Sequence, residues 1–217
     1  IGEFLNLLKV KTIKSGKIKE NCYVVYDSSD NGLIIDPGEN RYEIANYINE
    51  KDINVLAIIN THAHYDHIGS VKYFQDSLKI PFYLHSLDER TLKSANLLKI
   101  IFEGEKSVSI PTIDIYIDKL EEDFLIDNML VKVLHTPGHT PGSVSIILEN
   151  YIFTGDTLMK GFFGRTDLPG GNKHDLVLSL KKLEKLSGNY VIYPGHGPKT
   201  ILKNELARIR KFYEEIK

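Results

Sequence analysis

Thr61-His62-Ala63-His64-Tyr65-Asp66-His67-Ile68-Gly69 sets four side chains able to bind a transition metal within six consecutive residues. Imidazole and carboxylate suit zinc, iron or manganese, and no thiolate is needed. A lone histidine is more often a satisfied, partly buried residue than a ligand. This density of ligand types points instead to metal chemistry. The apolar run Val55-Leu56-Ala57-Ile58-Ile59 leads straight into the cluster and reads as a buried strand. The cluster therefore begins where a strand ends and a loop starts. Side chains alternate along an extended segment, which would put His62, His64 and Asp66 on one side and His67 elsewhere. One loop could then feed two neighbouring metal positions.

Three further segments offer ligands. Thr136-Pro137-Gly138-His139-Thr140-Pro141-Gly142 carries His139 on a Pro/Gly-rich turn. Asp156 follows the apolar run Tyr151-Ile152-Phe153, and His196 follows Val191-Ile192-Tyr193 within Tyr193-Pro194-Gly195-His196-Gly197-Pro198. Each is flanked by glycine, which lets the backbone turn sharply and approach closely. Seven ligands at the ends of four strands suit a two-metal site. Such a site lowers the pKa of water toward neutrality and polarises a carbonyl, so no Ser or Cys nucleophile is required.

Together and in this order, these motifs resemble the metallo-β-lactamase superfamily, and within it the glyoxalase II group of thioester hydrolases, over about residues 21–198. The resemblance implies a four-layer αββα sandwich with the site along one edge of two facing sheets. The residues alone support a mixed α/β (α+β) layered domain. The implied cofactors are two divalent metal ions, zinc first, with iron or manganese served by the same ligands. One ion would sit on His62, His64 and His139, the other on Asp66, His67 and His196, with Asp156 bridging. A hydroxide shared by the ions would attack, and Asp66 and Asp156 would reduce the charge of the pair and orient it. The implied substrate is a small-molecule thioester of the hydroxyacylglutathione type.

The segment Gly164-Arg165-Thr166-Asp167 is typical of small glyoxalase II-like proteins. By position Arg165 corresponds to a basic residue that helps hold glutathione, and a guanidinium grips a carboxylate in two places. Lys160 and Phe163 are grouped with it as substrate contacts. The competing reading of Arg165 is an ion pair with Asp167. Asp36, in Asp36-Pro37-Gly38, is expected to brace the histidine loop, to form a turn, or both.

Rival chemistries share parts of this pattern. A persulfide dioxygenase would hold one iron on His62, His139 and Asp156, but usually follows the final histidine with Asp-Tyr, where this chain has Gly197-Pro198. Lactonases share the ligand set, and many β-lactamases use a Cys that is missing near Asp156. Nucleases of the superfamily commonly carry nucleic-acid-binding insertions, for which this chain has neither room nor a basic patch. A non-catalytic binding module would not need all seven ligands. Glyoxalase II enzymes with full glutathione specificity carry an added C-terminal helical domain, whereas this chain ends one helix after Pro198. The glutathione site is then expected to be incomplete.

The chain has 217 residues, 42% hydrophobic and 26% charged, which suits one globular domain spanning residues 1–217. A formal net charge of -2 gives no general pull toward nucleic acid or anionic membrane. No stretch is long and apolar enough to span a membrane, and no apolar core follows a basic start as in a signal peptide. A cytoplasmic protein is expected. Ile1-Gly2-Glu3-Phe4, without an initiator Met, reads as a cloning remnant or a product of processing. The single Cys22 reads as a small core residue. No heptad or interface stripe indicates an oligomeric state.

The elements that must position the ligands follow. Strands are expected over 5–14, 18–26, 33–35, 55–59, 81–85, 129–135, 143–148, 151–153 and 190–193. Asn31-Gly32 and Glu149-Asn150 read as hairpin turns. Asn40-Arg41-Tyr42-Glu43 has the form of a capping box for a helix ending near Lys51. Further helices are expected from His67 to Leu78, after a cap at Ser86-Leu87-Asp88-Glu89, from His174 to Leu186, and at the end with Leu202, Leu206, Ile209, Tyr213 and Ile216 on one face. The region Leu87–Glu122 is read mainly as packing, with a lid over the metal cleft as the alternative. His85, His135 and His174 read as structural, His135 with a possible supporting contact to the metal loop.

Overall fold

The computed structural model of the protein describes residues 8–104 and 108–214. Ile1-Gly2-Glu3-Phe4, the first residues of the expected opening strand, Glu105-Lys106-Ser107 and Ile216 lie outside them.

Three apolar clusters define four layers. Strand residues alternate faces. In β2 (Glu20–Tyr26), Tyr23 and Val25 face one cluster while Cys22 and Val24 face another; β3 (Asn31–Ile35) and β4 (Asn54–Ile59) divide their side chains the same way. The inner set joins Leu33, Ile35 and Ile59 to Val131, Ile146 and Phe153 of the facing sheet. On the outer face of the first sheet, Ile34 and Ile58 pack under α1 (Arg41–Lys51), α3 (Val71–Leu78) and α4 (Glu89–Glu103) through Ile44, Phe74 and Leu92. On the outer face of the second, Leu158 and Ile192 pack under α5 (Lys173–Glu184) and α6 (Leu202–Glu214) through Leu180 and Ile209. The result is the expected αββα sandwich. Each fully buried aliphatic side chain contributes about 1.5–3 kcal/mol, so the strands that carry the ligands rest on a strongly favoured core.

Among the described residues each main sheet has six strands. The first runs β1 (Lys9–Ser15), β2, β3, β4, β5 (Phe82–Leu84) and β6 (Ile115–Tyr116). The second runs β14 (Thr200–Ile201), β13 (Val191–Pro194), β10 (Tyr151–Gly155), β9 (Val144–Leu148), β8 (Met129–His135) and β7 (Asp123–Ile126). A small hairpin pairs β11 (Leu158–Met159) with β12 (Phe162–Phe163). The strands β6 and β7 are not foreseen by hydropathy, because Ile115 and Phe124 are only partly buried at sheet edges.

Local chemistry departs from the sequence reading in four places. The hairpin turn falls at Asp27–Asp30 rather than Asn31-Gly32: the Asp27 carboxylate accepts from Ser29 N–H and Asn31 N–H, and β3 already begins at Asn31. Asn40 does not cap α1, because its amide donates to Lys14 O at 2.6 Å instead. The helix expected from His67 is two pieces, α2 (Tyr65–Ile68) and α3, broken where Ser70 N–H donates to Pro37 O. Asp88 precedes α4 without capping it, and its side chain is used elsewhere. By contrast Glu149-Asn150 is the two-residue connection between β9 and β10, and Cys22 is fully buried, with burial pushing its thiol pKa up.

Candidate metal centre

The seven predicted ligands converge. They leave the C-terminal ends of β4, β8, β10 and β13, so both sheets contribute. His62 and His64 lie on the extended segment after β4. The chain then turns helical at Tyr65, which carries Asp66 away from them and places it with His67 in α2. Strict alternation therefore fails after His64, and Asp66 groups instead with His67 and His196. The ligand atoms of His62, His64 and His139 lie within 4.8 Å of one another, and so do those of Asp66, His67 and His196. Asp156 stands between the two sets. Its Oδ2 is 3.5 Å from His139 Nε2 and 3.6 Å from His196 Nε2, and its Oδ1 is 3.7 Å from His67 Nε2.

The donor atoms are prepared for a cation. His62, His67 and His139 are each held through Nδ1: to Thr61 Oγ1 at 3.1 Å, to Asp36 Oδ2 at 3.0 Å and to the Arg165 carbonyl at 2.8 Å. A carbonyl or an ionised carboxylate only accepts, so Nδ1 carries the proton in the last two and Nε2 presents its lone pair inward. His196 Nδ1 is held in the same way by the Ile18 carbonyl at 3.3 Å. The Nε2 atoms of His62, His64, His67 and His139, and Oδ1 of Asp156, are buried without a hydrogen-bond partner among the described residues. Buried polar atoms are rarely left so, and an aimed set of this kind is what a bound metal satisfies. The nitrogen and oxygen donors fit divalent zinc, iron or manganese alike.

The two sets differ electrostatically. Burial and the neighbouring rings push His62 well below its ordinary value, and burial with the adjacent His139 pushes His64 down to about 3. Both shifts favour the neutral imidazole that ligates a metal. Burial works against charge on His67, but Asp66, Asp36 and Asp156 overcome it and raise its pKa. Burial likewise opposes ionisation of Asp66, yet His67 and His196 hold its carboxyl well below the usual range.

Several supports were only partly legible in sequence. Asp36 combines both expected roles: it adopts a left-handed backbone, φ 49°, and accepts from Thr61 N–H, Thr61 Oγ1 and His67 Nδ1. Asp88 is a support that sequence reasoning missed. Fully buried, it accepts from Ala63 N–H at 2.8 Å, Thr140 Oγ1 at 2.9 Å and Gly142 N–H at 2.7 Å, tying the His62/His64 loop to the His139 loop. Its placement before a helix gave it the look of an ordinary cap. Asn21 donates to Pro194 O and Gly197 O and so secures the His196 loop. Glu20 is fully buried 3.9 Å from His67 Nδ1, with burial pushing its pKa well up. His135 braces the His139 turn by donating from Nε2 to Pro141 O.

A cavity of about 270 Å³ opens onto the ligands, walled by Ile18, Tyr65, Leu98, Phe102, Arg165 and Leu168. Leu98 and Phe102 belong to α4, so the region read as packing or lid both packs and borders the cleft: Leu92, Ala95 and Leu98 are buried, while Leu97, Ile101 and Phe102 are exposed. Arg165 forms the ion pair with Asp167, two bonds of 2.7 Å, and its guanidinium also lies 5.6 Å from the Phe102 ring centre at the cavity wall. Phe163 packs on Phe212 and Lys160 is exposed beside the β11–β12 hairpin; neither lines this cavity.

Residues 16–196 match the metallo-beta-lactamase superfamily, and the chain belongs to it. It is a metallo-hydrolase of that superfamily with a candidate metal site. Similar proteins include the probable metallo-hydrolase YqgX of Bacillus subtilis, 36% identical over 91% of this chain and 94% of the relative. The hydroxyacylglutathione hydrolase GloC of Haemophilus influenzae is 29% identical over 91% of this chain and 95% of its own length. Among solved structures, the BLEG-1 B3 metallo-beta-lactamase superposes with a TM-score of 0.86 at 34% identity, covering 92% of this chain and 97% of that one. TTHA1623 in a di-iron-bound form superposes with a TM-score of 0.82 at 35% identity, covering 92% and 98%.

Proposed function

We propose that this protein is a dinuclear metal-dependent hydrolase of thioesters of the hydroxyacylglutathione type. The observation that carries the reading is the position of Asp156, within 3.7 Å of histidine nitrogens from both ligand sets. A single dioxygenase iron on His62, His139 and Asp156 would leave Asp66, His67 and His196 without an ion, so their gathering into a second set favours two ions. Likeness to GloC, whose name is that of a hydroxyacylglutathione hydrolase, supports the substrate class. Divalent ions there supply a water acidic enough to ionise near neutral pH and polarise the substrate carbonyl.

The chain's own residues then have distinct tasks. His62, His64 and His139 would hold one ion and Asp66, His67 and His196 the other, with Asp156 placed to serve both. Asp36, through His67, and Thr61, through His62, fix ring orientation. Leu98, Phe102 and Leu168 exclude water from one side of the cleft. A thiolate leaves readily, so the cavity needs no strong general acid, and none of its carboxylates has to serve as one. Arg165 meets a negative group on the substrate, exchanging its bond to Asp167 for one to the ligand.

The test is hydrolysis of S-lactoylglutathione by the purified protein, with metals quantified in the same preparation. Turnover with about two ions per chain supports the reading. No turnover with a fully loaded site overturns it; nitrocefin then tests the β-lactamase reading that the likeness to BLEG-1 favours, and lactones test the lactonase alternative. Arg165→Ala is expected to raise KM for an anionic thioester about tenfold, the loss of one charge-assisted contact, with kcat little changed. An unchanged KM would remove Arg165 from the substrate site.

A further inference from the structure

A second groove, of about 500 Å³, lies beside the metal cavity, and Arg165 borders both. The connection is short: the Arg165 carbonyl holds the ring of His139. The groove runs between the β11–β12 hairpin, the first turn of α5 and the outer part of α6. Its charges are one-sided. Among the described residues, Arg165, Lys173 and Arg208 line it against a single carboxylate, Asp167, which Arg165 already engages. Arg208 faces Glu205 only at 4.0 Å, and that carboxylate accepts from Gly161 N–H and Thr200 Oγ1, so the guanidinium keeps donors for a ligand.

Aromatic faces interleave with these cations. Phe163 and Phe212 pack with ring centres 4.7 Å apart, Lys173 Nζ stands 5.7 Å over Phe212, and Phe162 is 47% exposed. Cations suit phosphate oxygens, and an exposed aromatic face suits a flat heterocycle, whose stacking is worth about 1–3 kcal/mol. A dicarboxylate peptide would use the charges and leave the rings idle.

We infer that this groove binds the thiol arm of a thioester whose leaving group carries phosphates and a nucleobase, with Lys173 and Arg208 taking the phosphates and Phe162 and Phe212 the base. The inference rests on the thioester-hydrolase reading of the metal centre and replaces the glutathione arm of that reading with a nucleotide one, while the groove's affinity for phosphates and base can be measured without turnover.

The experiment uses the metal-loaded protein and two exposed charge reversals, Arg208→Glu and Lys173→Glu. ADP, which has the phosphates and base without a thioester, is titrated by calorimetry. The expected result is binding to the wild type, weakened at least tenfold by each reversal. The ratio of kcat/KM for acetyl-CoA to that for the neutral thioester S-acetyl-N-acetylcysteamine should also fall at least tenfold. Absence of ADP binding, or ADP binding indifferent to both reversals, overturns the inference even if thioesters are hydrolysed. If S-methylglutathione binds with that sensitivity and ADP does not, the nucleotide arm is wrong. If ADP binds as expected but no thioester turns over, the groove stands and the thioesterase reading fails.

Discussion

Asp156→Ala is expected to lower hydrolytic turnover by at least about 1,000-fold and to reduce bound metal below two ions per chain. The magnitude is that of losing several kcal/mol of metal-borne transition-state stabilisation, at about 1.4 kcal/mol per tenfold. Geometry gives the reason. The Asp156 carboxylate reaches His139, His196 and His67, whereas the other ligand carboxylate, Asp66, is near His67 and His196 alone. The backbone around it is shaped for this contact. A Cβ on Gly195 would lie 2.2 Å from Asp156 Oδ1 and 2.7 Å from His67 Cε1, so only glycine lets the His196 loop close on the carboxylate. Gly155, at φ 47°, leaves no room for a Cβ beside Thr61 Oγ1, 2.3 Å away. Removing the Asp156 side chain takes away a partly buried carboxyl group among histidines and introduces no strain at the end of β10, so the variant should stay folded. Turnover, metal stoichiometry and thermal midpoint measured on one preparation decide the matter. Wild-type turnover with metal content checked would show that the assignment of Asp156 is wrong.

The convergence of the seven side chains was legible because metal ligation imposes residue types that little else demands at such density. Strand cores were legible for a related reason: Leu33-Ile34-Ile35 and Ala57-Ile58-Ile59 are buried on both faces, so the sandwich appears as short unbroken apolar runs. Connections were harder. Asn40 and Asp27 are both turn-forming types, and which backbone group each engages depends on what the fold brings near: Asn40 donates its amide to Lys14 O, while Asp27 accepts from the local N–H groups of Ser29 and Asn31. The grouping of Asp66 could not be read from alternation, since it depends on where the chain becomes helical. Arg165 illustrates a reading in which both alternatives hold, an ion pair that also walls the cleft. Lys160 and Phe163 were taken from sequence neighbourhood alone; Lys160 falls in the turn before β12 and Phe163 on β12, which turns it from the metal cavity to the neighbouring groove.

Asp88 is the residue whose importance sequence concealed most, and Asp88→Ala is expected to weaken metal binding at the His62, His64 and His139 set by about 10–100-fold. None of its contacts is a ligand. It accepts from Ala63 N–H, which lies between two ligands, and from Thr140 and Gly142, which flank a third. Those loops follow β4 and β8, on different sheets, so this carboxylate spans the sandwich at the point where the first set is assembled. Truncation strands the buried N–H groups of Ala63 and Gly142, each at a cost of about 1–3 kcal/mol, while the Thr140 hydroxyl keeps Ser143 Oγ at 2.7 Å; the cost is offset in part by the desolvation that burial imposes on the carboxylate itself. A net loss of about 3 kcal/mol corresponds to a fall of roughly 6–12 °C in thermal midpoint for a chain of this size. Asp88→Asn separates positioning from bulk stability. Its one carbonyl oxygen can serve the Ala63 and Thr140 side or the Gly142 side, while its NH2 opposes a donor on the other, so size is kept and the tie is broken. Cobalt-substituted protein reports the ligand field of the set directly. If Asp88→Asn binds cobalt with wild-type affinity and spectrum while the midpoint falls, the residue stabilises the fold without positioning the ligands; a shifted spectrum and weaker binding show that the two loops must be held together for the first set to form.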